Sequence, residues 1–397
     1  MSITDVSTQA GPQAGSQAGS QAGSQSGSQA GSQSGSQSGS QAGSGSQVDR
    51  QVGRVVVAGV DTHQLTHHVV VLDTTGRRLG DRGFEASSAG YAQAVDWMAG
   101  FGTIEAVGVE SSGSYGAGLT LRLLTAGIEV IEVSRPEKAT RAQHGKSDPV
   151  DAESAARQVL AGTATGRPKV KTGIIEAIRA IKVPRDAAVR DRTRGYSQLR
   201  NLVTTAPVEL REQLLTLTGN QRVAVVAGYR PDPTRLADPT QATKLALRTL
   251  ARRIRALDAE IDAADAVLAD LVAQAVPTVL GLPRVGVQSA ARLAITAGQN
   301  IDRMRSEATF AKLTGVAPIP ASSGKSTRMR LNRGGDRQAN SALYMIAIGR
   351  LQSHQPTLAY LARRQHHNLS KRDLIRCLKR YIAREIYTAL KHDLLTT

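Results

Sequence analysis

The chain has 397 residues, with 50 Lys plus Arg against 33 Asp plus Glu, a formal net charge of +17 and a pI near 10.4. A single cysteine, Cys377, excludes a disulfide scaffold and a cysteine-based zinc site. No apolar run approaches the ~18 residues that span a bilayer, and the N-terminus lacks the apolar core of a signal peptide. The expectation is a soluble, intracellular (cytoplasmic) protein whose positive charge meets a polyanion rather than a membrane.

Residues 8–47 repeat Gln-(Ala/Ser)-Gly-Ser with hardly a charge or a large apolar side chain. Such a segment buries too little apolar surface to offset its ordering entropy, so residues 1–50 are expected to be a disordered Gln/Gly/Ser-rich tail. From Arg54 the pattern changes. Val55 to Val60 is a continuous apolar run, the mark of a strand buried on both faces, and it ends at Asp61. His68 to Asp73 fits a second strand, followed by the turn Thr74-Thr75-Gly76, and a third runs from about Arg78 to Glu85, an antiparallel meander. Residues 88–100 read as a helix with Tyr91, Val95 and Met98 on one face. Ile104 to Val109 is a further buried strand ending at Glu110, and an amphipathic stretch with Leu119, Leu121 and Leu124 follows Gly113. Ile128 to Val133 is a fifth strand, and a helix fits Pro149 to Leu160. A meander followed by alternating helix and strand is the α/β, ribonuclease H-like arrangement, expected over 51–165.

The middle, 166–276, reads as helical. Leu250, Ile254, Leu257, Ile261, Ala264, Leu268 and Leu271 step by 4 and 3 alternately, a heptad pattern that suits a coiled coil or a bundle helix. The helix either packs inside its own domain or serves as a dimerisation arm, and Pro277 ends it. Residues 277–397 form the expected mostly α-helical C-terminal domain. There Leu282 to Val287 precedes an Ala-rich helix, Ser289 to Ala297, and a Gly turn opening a helix suits a phosphate as well as an ordinary loop. Over 370–392, Leu374, Leu378, Ile382, Ile386 and Leu390 share one face, while Arg372, Arg376, Lys379, Arg380 and Arg384 lie elsewhere. Such a basic amphipathic helix can lie on nucleic acid or present a solvated face.

Four carboxylates sit where a ribonuclease H-like fold places metal ligands. Asp61 and Glu110 end buried strands, and Asp148 and Asp151 flank Pro149 at a helix start, three residues apart on one side. Converging carboxylates hold Mg²⁺ (or Mn²⁺) while leaving room for phosphate, and two such ions ~4 Å apart stabilise attacking and leaving oxygens together. Each has a structural alternative: Asp148 as an N-cap, Asp151 as a favourable first-turn charge, Glu110 as an ion-pair partner. Asp61 resists one, because a carboxylate after a run of apolar strand residues is costly unless it serves something.

Between Phe310 and Arg337, a loop carrying Ser322, Ser323 and Gly324 is surrounded by Lys325, Arg328, Arg330, Arg333 and Arg337. A serine among guanidinium groups suits attack on phosphate, although Ser-Gly loops are usually turns. At this point the chain from about Val55 onward resembles the insertion-sequence transposases with an N-terminal DEDD, RuvC-like domain and a C-terminal serine-bearing domain, the bridge-RNA-guided recombinases. The resemblance rests on Gly59-Val60-Asp61, Val109 to Tyr115, Lys146 to Ala152, Leu282 to Gly286, Leu313 to Pro318, Ser323 to Ser326 and Ala342 to Met345. Where Arg284-Val285-Gly286 stands, that family often has Gly-Ile-Gly. The resemblance implies Asp61, Glu110, Asp148 and Asp151 as metal ligands and Ser323 as nucleophile, with Ser322 and Ser326 as neighbours. It also implies a 5′-phosphoserine link to DNA, religation without ATP, donor and target double-stranded DNA, a structured non-coding guide RNA and a homo-oligomer, dimer or tetramer. The rivals are a metal-only nuclease resembling a Holliday-junction resolvase and a non-catalytic nucleic-acid-binding protein.

Overall fold

The computed structural model describes residues 53–133, 147–322, 329–365 and 370–395; the tail expected over 1–50 lies outside them. The N-terminal part begins with β1 (Val55–Thr62), β2 (Thr66–Asp73) and β3 (Arg78–Glu85), then α1 (Ser88–Ala99), β4 (Thr103–Glu110), α2 (Ala117–Thr125), β5 (Glu129–Val133) and α3 (Asp148–Leu160). These strands form a five-stranded sheet ordered β3-β2-β1-β4-β5. β1, β2 and β3 pair antiparallel, whereas β4 and β5 run parallel to β1. The expected meander and crossovers are all present.

Side chains alternate across the sheet, and that parity organises everything around it. Val56, Ala58 and Val60 of β1 join Val69, Val71, Val107 and Val109 beneath α1 and α2, where Met98, Leu119 and Leu123 complete a core. The opposite parity faces α3, with Val70 and Leu72 packed on Ala152 and Ala156. Gly59 and Gly108 are register partners on this second face. A Cβ at Gly59 would lie 2.1 Å from the Ala152 carbonyl oxygen and 2.2 Å from the Ala156 nitrogen. At Gly108 it would meet the Ala155 oxygen at 2.8 Å. Two glycines below and a row of alanines above therefore let α3 lie directly on the strands.

The middle holds α4 (Gly173–Thr204), α5 (Val208–Leu215), α6 (Gly219–Ala227) and α7 (Pro239–Ala275). The heptad face of α7 is used within the chain, chiefly against α4. Ile254, Ile261 and Leu268 are buried along it, and Gly195 of α4 leaves room for Ile254. Arg185 grips Asp265 through two nitrogens at 2.7 and 3.0 Å, and Arg192 reaches Asp258 at 2.9 Å, fixing the register of the pair. The helix ends at Ala275, one residue before Val276 and two before Pro277.

The remainder comprises α8 (Pro277–Leu280), α9 (Val287–Ala297), α10 (Glu307–Leu313), β6 (Ile319–Pro320), β7 (Met329–Arg330), α11 (Arg337–Ser353), α12 (Gln355–Gln365) and α13 (Lys371–Leu395). One core joins Leu293, Phe310, Leu343, Ile346, Ile382, Ile386 and Leu390 to Ile178 of α4 and to Leu268 and Val272 of α7. The apolar face expected on the last helix is thus the face that closes this core. No helix among the described residues is long and apolar enough to cross a membrane.

Candidate active site and basic cavity

Two positions beyond the paired glycines, the same strand parity delivers Asp61 and Glu110 to the α3 face of the sheet. The Thr62 hydroxyl donates to the Glu110 carbonyl oxygen at 2.9 Å, tying the two strand ends together. Immediately after Glu110, Ser111 turns the chain with a positive φ of 53°. Asp148 and Asp151 enter from above, on the first turn of α3. Ser147 is the N-cap, so Asp148 occupies the first helical position; it is not the cap, and the helix starts one residue earlier than expected. Asp61, Glu110 and Asp151 are buried, whereas Asp148 opens to solvent.

The four carboxylates share one electrostatic environment. Burial pushes the Asp61 carboxyl above the usual carboxylate range; the His63 imidazole opposes that rise, and the negative charges of Glu110, Asp148 and Asp151 add to it. The residue that sequence reasoning missed is His63. Its Nε2 lies 3.2 Å from Asp61 Oδ2 and 3.2 Å from Asp148 Oδ1, between the strand and helix contributions. One ligand atom each from Asp61, His63 and Asp148 lies within 4.8 Å of the others, a donor set that fits a divalent cation. The signal was present in the sequence: 59, 61 and 63 share one parity as β1 runs out.

The sequence-predicted basic residues gather at a second place. A cavity of about 800 Å³ is lined by Arg330, Arg333 and Arg337 from β7 and the segment after it, and by Arg376, Lys379 and Arg380 from α13. Two stretches some forty residues apart thereby face each other, with Arg364 and Arg384 joining them. Arg372 is exposed on α13 and is not part of the lining. Arg376 pairs with Asp373 at 2.7 Å, Arg380 pairs with Glu307, and Lys379 donates to Asn340 Oδ1 at 2.7 Å. Burial, with help from Arg376, lowers the Lys379 ammonium below the usual lysine range. β6 and β7 pair through Ile319 with Arg330 and Pro320 with Met329, and the cavity is lined by β7 and by Gly315 to Pro318 just before β6, on either side of the serine loop. Ser323, Lys325 and Arg328 lie outside the described residues, as does the neighbour Ser326.

The Gly turn before α9 is present, with Gly286 as the N-cap. Arg284, two residues earlier, has a φ of 60°, a conformation that glycine adopts without strain.

A mixed sheet of this order, with carboxylates at two adjacent strand ends and on the helix above them, defines a ribonuclease H-like class of domain. Residues 58–206 match a transposase family model of the DEDD, IS110 type, and residues 277–362 match the model of the transposase IS116/IS110/IS902 family. The chain therefore carries the domains of IS110-family transposases, one after the other, and with them a DNA transposase or recombinase activity. No curated protein matches the chain significantly.

Proposed function

We propose that this chain cuts and rejoins DNA for an insertion sequence through a covalent serine intermediate, with the carboxylate site and the serine loop acting on the same phosphodiester. The observation that carries the reading is the convergence of Asp61, Glu110, Asp148 and Asp151 on one face of the sheet, in a chain whose other half gathers cations beside the serine loop. Asp61 and Asp148, with Glu110 and Asp151 beside them and His63 between, would hold Mg²⁺ or Mn²⁺. A divalent ion so held supplies Lewis-acid stabilisation of the phosphodiester oxygens.

Ser323 Oγ forms a bond to phosphorus and the 3′-oxygen leaves with a proton, giving a 5′-phosphoserine link and a free 3′-hydroxyl. A 3′-hydroxyl of the exchanged strand then attacks that phosphorus and returns the proton to the serine, so phosphodiester bonds are conserved and no nucleotide triphosphate is consumed. Arg330 and Arg333 would neutralise phosphates flanking the reacting one. In this reading a structured non-coding guide RNA pairs with donor and target DNA. The protein grips backbones, which suits a net charge of +17 with only 3% aromatic residues. Joining two duplexes calls for a dimer or tetramer.

The test incubates the full chain with end-labelled element-end DNA, the adjacent non-coding RNA and Mg²⁺, followed by a denaturing gel. A protease-sensitive shifted band is expected, absent from Ser323→Ala and from Asp61→Ala. His63→Ala should weaken Mn²⁺ binding by roughly tenfold or more, read by calorimetry without DNA. An adduct that persists in Ser323→Ala overturns the serine assignment. Cleavage without any adduct points to the metal-only nuclease.

A further inference from the structure

The cavity between β7 and α13 has a second character besides charge. Its walls include Val316, Pro318, Met329, Leu331 and Tyr381, of which Met329, Leu331 and Tyr381 are 57%, 49% and 44% exposed. Large side chains left this open on a highly charged surface mark a binding surface when they cluster. Tyr381 is held in place: it meets Tyr360 edge-on at 5.3 Å between ring centroids, and the Arg384 guanidinium lies 6.0 Å from its ring. Seven arginines and Lys379 line the same cavity, against Asp373 as its carboxylate among the described lining residues. No ion pair with a carboxylate among the described residues occupies Arg330, Arg333 or Arg337.

A smooth duplex backbone has no use for an apolar, tyrosine-walled hollow, because phosphates need only the cations. A mobile acidic peptide would satisfy the arginines and leave the ring and thioether uncovered. The combination of a flat aromatic face, a thioether and converging guanidiniums suits one unstacked nucleotide, its base against Tyr381 and Met329 and its phosphates on the arginines. About 800 Å³ is ample for that ligand, within the usual range of roughly 300–1,000 Å³ for ligand pockets.

We infer that this cavity captures a single extrahelical DNA nucleotide beside the phosphodiester that reacts, with Tyr381 as its stacking platform. The assignment to DNA rests on the proposed function, since β7 and the residues leading into β6, which line the cavity, flank the serine loop. Holding one base outside the helix would fix the strand end in register between cleavage and religation, while its 5′ end is tied to the protein.

The experiment measures binding of the full chain to fluorescein-labelled single-stranded oligodeoxynucleotides of element-end sequence, by anisotropy at low salt. A series carries one abasic residue at each successive position. The wild-type chain should lose about tenfold in affinity when one particular base is missing, the size expected for one base–aromatic stack. Tyr381→Ala should bind the intact strand about tenfold more weakly and no longer distinguish the abasic position, whereas Tyr381→Phe should keep both properties. Arg330→Ala serves as the contrast, weakening intact and abasic strands alike. If Tyr381→Ala weakens every strand by one common factor, or abasic positions have no effect, the base site is overturned while DNA binding stands. If the base dependence appears only with the matching oligoribonucleotide, the assignment to DNA is overturned. If no strand binds at low salt, the proposed function falls, and this inference with it.

Discussion

The carboxylate site and the basic cavity solve opposite electrostatic problems with opposite architectures. The acidic site brings like charges together on closely packed elements: β1 and β4 pair in continuous register from Val57 to Val60, their ends are tied by Thr62, and α3 is seated on two glycines. The cavity spreads its charges over a two-residue ribbon, a loop and one face of α13, and moderates several with Asp373, Glu307 and Asn340. Mutually repelling carboxylates stay together only when well-packed backbone holds them. Cationic surfaces that meet a flexible polyanion need reach, and no single side chain in them is indispensable.

The hardest test of that contrast is Gly59→Val. The new Cβ would fall within 2.2 Å of backbone atoms at Ala152 and Ala156, so α3 must lift from the sheet and carry Asp148 and Asp151 away from Asp61. Overpacking a core costs typically 1–3 kcal/mol where side chains can yield; here only backbone is available, so the loss is expected at or above about 3 kcal/mol. Chemical denaturation reads the stability, and Mn²⁺ titration reads the site. A folded Gly59→Val protein that binds Mn²⁺ like the parent would show that the glycine seat does not position the carboxylates.

The acidic site was largely legible in the sequence, because each of its parts obeys a local rule. Continuous apolar runs announce doubly buried strands, a carboxylate at their end is conspicuous, and Pro149 marks a helix start. What was not legible is what comes from parity and distance together. His63 follows the last residue of β1 and shares the parity of Asp61, but only the placement of α3 above the strand puts its imidazole between Asp61 and Asp148. The pairing of Gly59 with Gly108 depends on a register that no single strand specifies. In the C-terminal half, Arg330 reads as a cation beside the serine loop and Arg376 as part of a basic helix face that suits nucleic acid or solvent, with nothing to join the two. Only the folding of α13 over α10 and α11 brings them to one cavity, with Arg384 of the same basic helix and with Arg364 and Tyr381, which no local pattern singles out. The heptads of α7 were equally ambiguous, since the seam that fits a partner chain also fits α4.

A second test lies where the sheet domain meets the C-terminal helices. Lys169 donates to the Ile295 carbonyl oxygen of α9 at 2.6 Å. Its ammonium is pushed down to about 8, first by burial and then by Arg303 and Lys171, while Asp336 and Glu132 pull the other way. A lysine whose folded value lies below its unfolded value of 10.5 is charged at a cost in the native state. At pH 7 both states bind the proton, and the folded state bears a penalty of about 3 kcal/mol. Between pH 8 and 10.5 the folded chain releases the proton first, so this group's contribution to stability rises with pH through that window. Lys169→Met should flatten the profile there, as read from urea unfolding midpoints at successive pH values. An unchanged slope would mean that the ammonium is solvated and that this joint is looser than the carboxylate site.

The smallest effect expected distinguishes strain that serves a function from strain that is only tolerated. Ser111 and Arg284 are the non-glycine residues with positive φ among the described residues, one beside each half's characteristic motif. Ser111 follows Glu110 directly and turns the chain at the end of β4. Arg284 holds its conformation two residues before α9, where its guanidinium donates to the Ser353 hydroxyl at the end of α11. A left-handed backbone costs a side-chain-bearing residue roughly 1–2 kcal/mol. Glycine removes that strain but returns about 0.5–1 kcal/mol through the freedom of the unfolded chain. With an exposed hydrogen bond also lost, Arg284→Gly should stabilise by no more than about 0.5 kcal/mol, with adduct formation unchanged. Ser111→Gly should gain as little in stability yet slow adduct formation, because the freed turn no longer fixes the end of β4. Equal kinetics for the two variants would place both strained turns in the tolerated class.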